Sequence, residues 1–236
     1  MQIYLIGGSV RDSLMGRESK DKDFVVVSSK NTIDEAWDEM ISFLTLEGYV
    51  IFEERKNCFT VRARFPLNHK YKQLTADFVL ARKEIGYIPG TRTPIVEPGN
   101  MVDDVFRRDF TVNTLYLNDL DEIIDLTGRG VEDIKYKLLD TPTDPFKTFK
   151  DDPLRVFRAI RFSVTKEFAM SERVEEAIFT GDFDFSVISI ERVRTELFSC
   201  FKENTVETLR QLYKFPKLQN YAFKDTNLWL KPTITP

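Results

Sequence analysis

The first 27 residues place the tightest constraint on the fold. Apolar Ile3-Tyr4-Leu5-Ile6 runs into Gly7-Gly8 and a short helical stretch, and Asp21-Lys22-Asp23 then opens the apolar run Phe24-Val25-Val26-Val27. A strand, a glycine turn and a helix start bring backbone amides and a helix N-terminus to one point, which suits a phosphate at Gly8. Arg11 can add a charged fork to the same oxygens. A glycine pair after a strand is equally a common tight turn. Asp21 and Asp23 lie two apart at a strand start, so both carboxylates share a face while Lys22 points away. Such a pair repels unless a cation sits between, and hard oxygen ligands on a rigid strand suit Mg²⁺. The competing reading is a solvated strand end.

Further along, Asn31-Thr32 can cap a helix in which Ile33, Ala36, Trp37, Met40, Ile41 and Leu44 recur at helical spacing until Gly48. Phe59, Val61, Ala63 and Phe65 alternate with Thr60, Arg62 and Arg64 as in a half-buried strand, and residues 74–82 predict another. Asp77 would face with Thr75 and Val79, which makes it a candidate third carboxylate. Pro89, Gly90, Pro94 and Pro98 between Gly86 and Gly99 predict an irregular loop. From Leu154 through Leu212 the pattern is helical, with Val156, Phe157 and Ile160 facing a core and Arg155, Arg158 and Arg161 on another face.

Charge and composition narrow the function classes. Apolar residues make up 42% and charged residues 31% of the 236-residue chain, the balance of a globular protein with one large domain or two modest ones. No apolar stretch approaches the roughly 20 residues of a membrane-spanning helix, and Met1 leads straight into a strand, so a cytoplasmic protein without membrane partners is expected. Cys58 and Cys200 have no metal-ligand spacing and read as reduced thiols. The net charge of −4 argues against general coating of nucleic acid but allows a local groove, for which Arg107-Arg108 and Arg155, Arg158 and Arg161 are available. His69, the sole histidine, lies in a polar stretch and reads as an exposed loop residue, so no histidine-based general base can be assembled.

The order of these features resembles the polymerase β superfamily of nucleotidyltransferases. Met1 to Val27 is similar to the opening of the class II, bacterial-type tRNA CCA-adding enzyme and poly(A) polymerase family: Gly-Gly-x-Val-Arg-Asp, Leu-x-Gly, then Asp-x-Asp, with Lys20 beside the last. Arg107-Arg108-Asp109-Phe110-Thr111-Val112-Asn113 resembles the family's second motif, which implies that Arg108, Asp109 and Asn113 help place the nucleotide sugar and triphosphate. Asp125 to Asp133, with Gly128 and Gly130, resembles a motif that moves during catalysis. Asp151-Asp152-Pro153-Leu154-Arg155 resembles the base-reading motif, with Asp151 in place of the usual Glu, and Glu191-Arg192-Val193-Arg194 matches the motif beyond it. The resemblance covers roughly residues 1–200; relatives continue into body and tail domains that grip tRNA.

The resemblance implies an α+β fold: a nucleotidyltransferase head with a mixed β-sheet and flanking helices (1–140), a shortened all-helical neck and body (141–219) and a short C-terminal arm (220–236). It implies template-independent addition or repair of the tRNA 3′ CCA from CTP and ATP, with pyrophosphate released by a two-metal mechanism using Mg²⁺. The partner would be the acceptor stem; the oligomeric state is undetermined. Asp152 before Pro153 is also what a plain helix start looks like. Arg155, three residues on, shares its side of the helix, so an acceptor stands beside a donor. Cytosine and adenine present an amino donor beside a ring-nitrogen acceptor, whereas guanine and uracil reverse the order and would leave buried polar groups unpaired. Poly(A) synthesis, or a non-catalytic RNA- or nucleotide-binding module, are the alternatives.

Overall fold

The structure is a computed structural model, and it describes residues 1–19, 21–88, 90–91 and 93–225. Lys20, Pro89 of the expected loop and residues 226–236 of the expected arm therefore lie outside the described residues. The chain divides into two compact units, one of Met1–Pro89 with Thr93–Tyr136 and one built from Lys137 onward.

In the first unit, β1 (Gln2–Ile6) enters α1 (Gly8–Leu14), and β2 (Asp23–Val27) returns antiparallel beside β1. There follow α2 (Ile33–Leu46), β3 (Val50–Arg55), β4 (Thr60–Arg64) and β5 (Thr75–Leu80). A hairpin of β6 (Arg82–Tyr87) and β7 (Pro94–Pro98) leads to α3 (Met101–Phe106). Then come β8 (Tyr116–Leu117), β9 (Ile123–Ile124) and α4 (Gly130–Lys135). Seven strands form one sheet in the order β3-β4-β5-β2-β1-β8-β9, mixed because β2 and β5 run parallel while the other pairs are antiparallel.

The sheet alternates between two differently used faces. On one, Phe24 stacks on Phe78 with ring centroids 5.3 Å apart, joined by Phe65, Tyr49 and Tyr71. Each fully buried ring contributes about 1.5–3 kcal/mol. Helix α2 lies against β3 and β5 and buries Ala36, Trp37, Met40 and Leu44; Thr32 caps it by accepting from the Glu35 amide at 3.3 Å. On the other face Ile6, Val25, Ala81, Val105 of α3 and Tyr116 form a second core. The face of Asp23 and Asp77 is the α3 face, because these residues alternate with Phe24 and Phe78.

Two expectations are corrected and one strand is added. Strand β3 has no clear period-two pattern and was not anticipated; it is a largely exposed edge strand, so only neighbour pairing identifies it. The turn-rich segment between Gly86 and Gly99 is not all loop: β7 begins and ends in Pro94 and Pro98, strand-end positions where proline is tolerated, and pairs with β6. His69 is partly buried, stacked on Phe65 at 4.4 Å, and its Nδ1 accepts from the Tyr71 amide.

The second unit is helical apart from β10 (Leu138–Leu139) and β11 (Ala169–Met170), a short parallel pair. Its helices are α5 (Pro145–Asp151), α6 (Leu154–Lys166), α7 (Glu172–Thr180), α8 (Ile190–Glu203), α9 (Thr205–Lys214) and α10 (Pro216–Asn220). Helix α6 packs on α8 and α9 with Val156, Phe157 and Ile160 buried as their spacing predicts. The Asn204 side chain caps α9 through the Glu207 amide, and a wider turn at Tyr221–Asp225 follows α10. Cys58 and Cys200 are free, and burial pushes the Cys200 thiol up to about 12.

Candidate active site

The turn after β1 works because Gly7 holds φ +68°, a region costly for side-chain-bearing residues. It lets α1 start at once beside the end of β1, where Ile6 pairs with Asp23. Asp23 in turn stands opposite Asp77 on the parallel strand β5. Sequence reasoning placed Asp21 on the strand, but β2 begins only at Asp23, so Asp21 is an exposed residue just before it. Asp23 is exposed at the strand start, yet partial desolvation by the surrounding protein first, then Asp77 and Asp21, push its carboxyl above its ordinary range, while Arg108 pulls the other way. Two further carboxylates thus act on the charge of Asp23.

Such like-charge repulsion fits a divalent cation at Asp21 and Asp23. Asp77 is otherwise occupied: its Oδ1 accepts from Arg55 Nη2 at 3.2 Å and Arg62 Nη1 at 3.3 Å. Among the described residues no group of three or more His, Cys, Asp or Glu side chains is arranged to hold a metal ion. The fit therefore rests on two carboxylates, with the remaining sites left to phosphate oxygens and water, as is usual for Mg²⁺.

Arg11 does not face outward as the expected phosphate fork. It is buried, pairs with Asp12 at 2.8 Å and donates to the Asn113 side-chain oxygen. Asn113 Nδ2 donates to Asp109 at 2.9 Å, and Asp109 also accepts from the Phe110 amide at 2.8 Å. Arg11, Asn113 and Asp109 thus form a buried brace that fixes the glycine turn and α1 to the Thr111–Asn113 segment. Two cations stand at the turn: a Cβ on Gly7 would lie 3.8 Å from Arg108 Nη1, and one on Gly8 3.4 Å from Nη2 of Arg11, which is engaged in the brace.

Arg108 is aimed by a residue that sequence reasoning missed. Its Nε and Nη2 donate to Asp104 Oδ2 at 3.0 and 2.7 Å, and the Tyr116 hydroxyl donates to the same oxygen at 2.6 Å. Arg107 donates to the other oxygen and pairs with Glu84 at 3.5 Å. Asp104 is fully buried. Burial alone would push its carboxyl up; Arg108, Arg107 and the Tyr116 hydroxyl outweigh it and hold the group well below the usual carboxylate range. The signal available in the sequence was an acidic residue one helical turn before Arg108, on α3 capped by Asn100 and Asp103.

The turn at Asp125 is tightly bonded, with its carboxylate accepting from the amides of Thr127, Gly128 and Val131. In the second unit, Asp152 stands one residue before Pro153, the N-cap of α6, and its Oδ1 accepts from the Leu154 amide at 3.0 Å. Arg155 Nη1 donates to the Thr148 carbonyl at 3.2 Å, back toward α5. Arg158 lies 3.8 Å from Glu196 of α8, which also pairs with Arg161, so both help to hold α6 on α8.

Comparison with known proteins finds a matching family and relatives of known activity. The family described as "Poly A polymerase head domain" matches residues 3–140. A tRNA nucleotidyltransferase, cca2, of Schizosaccharomyces pombe is 36% identical over 189 residues, covering 75% of this chain and 38% of that protein. A CCA-adding enzyme of Lactobacillus helveticus is 32% identical over 196 residues, 83% of this chain and 45% of that one. A solved tRNA nucleotidyltransferase complexed with a primer tRNA and an incoming ATP analog is 27% identical, superposes with a TM-score of 0.65, and shares 92% of this chain and 58% of its own. The chain spans less than half the length of both curated relatives.

Proposed function

The chain belongs to the poly(A) polymerase head-domain family, and on that premise we propose that it is a template-independent RNA 3′-end nucleotidyltransferase that adds or repairs the CCA of tRNA. The substrates are CTP, ATP and the acceptor end of tRNA, in the cytoplasm. One observation carries the reading: Asp23 stands in register between the Gly7-Gly8 turn with Arg108 on one side and Asp77 on the other.

In this reading the amides of the glycine turn and the Arg108 guanidinium receive the triphosphate, and Asp104 holds that guanidinium in place. The Arg11–Asn113–Asp109 brace keeps the turn from moving as charge shifts onto the leaving group. Mg²⁺ held by Asp21 and Asp23 would lower the pKa of the RNA 3′ hydroxyl and neutralise the departing pyrophosphate. Positioning and charge neutralisation supply most of the catalysis, in keeping with His69 being engaged in a loop rather than placed as a base. Asp152 and Arg155 select the base.

The test is incubation of the purified chain with Mg²⁺, each labelled nucleoside triphosphate, and tRNA lacking all or part of CCA. Termination after C-C-A supports the reading. Unlimited A incorporation replaces it with poly(A) synthesis, and RNA binding without incorporation replaces it with a non-catalytic module. Asp21→Ala and Asp23→Ala should each lower incorporation at least about a hundredfold.

A further inference from the structure

The row of residues that crosses the sheet through Asp23 continues beyond Asp77. Ile6 pairs with Asp23, Asp23 with Asp77, Asp77 with Arg62, and Arg62 with Glu53. At one level, then, the face passes from the glycine turn through two carboxylates to an arginine. Arg55, two residues past Glu53 on the edge strand, reaches the same point. Its Nη2 and Arg62 Nη1 both donate to Asp77 Oδ1, and Arg55 Nε lies 3.4 Å from Glu53. Both side chains remain partly open to solvent, 38% and 48% exposed, with Arg55 Nε itself buried.

Transfer to a nucleotide's α-phosphate is an in-line displacement, so the attacking hydroxyl must come from the side opposite the leaving pyrophosphate. The Gly7 turn and Arg108 put the pyrophosphate on the β1 flank of Asp23. The hydroxyl therefore approaches from the β5 flank, and the strand that carries it must trail over β4 and β3. Neighbouring strands lie about 4.8 Å apart, so Arg62 on β4 stands about 10 Å from Asp23, backbone to backbone. A phosphodiester trailing the terminal hydroxyl would arrive at the partly exposed side chains of Arg62 and Arg55. Guanidinium forks suit phosphate oxygens.

We propose that Arg55 and Arg62 form a binding site for the phosphodiester backbone at the RNA 3′ end, parked on Asp77 until the strand arrives. Transfer of the two arginines to phosphate would release Asp77 toward Asp23. The inference rests on the proposed nucleotidyltransferase function and assigns the side from which the primer enters.

The experiment measures binding of tRNA lacking CCA to the full chain by fluorescence anisotropy, without nucleotide and across a range of salt. Arg55→Ala/Arg62→Ala should raise the Kd about tenfold at low salt. Losing two single-strand phosphate contacts should also make the slope of log Kd against log salt shallower by about 1.4. Arg55→Lys/Arg62→Lys should keep most of that slope, which separates lost charge from lost folding. Asp77→Ala should bind RNA at least as tightly as wild type, because the arginines are no longer parked. CTP affinity should be unchanged in the double alanine variant. An unaltered RNA Kd and slope in that variant overturns the proposal and leaves the arginines as neutralisers of Asp77. Wild-type chain that binds the tRNA yet incorporates nothing overturns the nucleotidyltransferase reading instead, and leaves the RNA site standing.

Discussion

At Asp23 the fold holds a carboxylate where neighbouring protein and two further carboxylates disfavour its charge. Such crowding is unfavourable in the metal-free protein and is relieved by a cation. Asp23→Asn should therefore raise the melting temperature of the metal-free chain while removing transfer, and Mg²⁺ should raise the melting temperature of wild type but not of this variant. Asp104 is the opposite case, a carboxylate whose charge the fold favours. Asp104→Asn removes the carboxylate that Arg107 and Arg108 share, leaving Arg107 its pair with Glu84, and should cost about 3 kcal/mol in urea unfolding. Because the folded pKa of Asp104 is depressed, its contribution is fully present above about pH 4 and is lost as pH falls toward the folded value. The variant's stability should fall less steeply than wild type's over that acid range. At the proposed base-reading pair, Arg155→Ala should admit GTP and UTP, raising their incorporation relative to CTP and ATP by at least about tenfold; full retention of selectivity would leave Arg155 a structural role, including its bond to the Thr148 carbonyl.

Among the elements, α4 and the Thr111–Asn113 turn depend on an unusually close approach. A Cβ on Gly130 would stand 2.7 Å from the Thr111 carbonyl oxygen and 2.9 Å from Leu115 Cδ2. Gly130→Ala should therefore cost about 1–3 kcal/mol by thermal or urea unfolding, and should perturb the brace through Asn113 more than it changes the sheet. Elements with a strong period were legible beforehand: β1, β2, β4, α2 and the apolar stripe of α6 follow directly from apolar spacing. Strand β3 and the β6–β7 hairpin were not, because an exposed edge strand lacks an apolar repeat and the prolines of β7 argue locally against pairing. Residues that act through a partner fared the same way. Asp21 and Asp23 announce themselves by spacing. Asp104 shows its importance only when Arg108, Arg107 and Tyr116 are brought around it.

For the molecule as a whole, each unit carries, among the described residues, a buried carboxylate held below its ordinary range. In the first unit it is Asp104. In the second it is Asp140, where burial is outweighed by hydrogen bonds from Arg173, the Thr141 amide and the Ser171 hydroxyl. The unfolded chain binds more protons at both positions, so stability rises with pH through the carboxylate range and is lost on acidification. Circular dichroism against pH should show both units losing stability below about pH 4, with Asp140→Asn flattening the acid limb by its own share. What the sequence by itself determined is the order of the chemistry-bearing segments and the strand–turn–helix–strand unit that opens the chain, since apolar periodicity, glycine turns and carboxylate spacing are local properties. Tertiary structure decided how the two arginines at the turn are held, Arg11 on Asn113 and Arg108 on Asp104, and which groups flank Asp77. Those outcomes depend on strand register and on competition among buried charges, and both are settled only when segments distant in sequence come together.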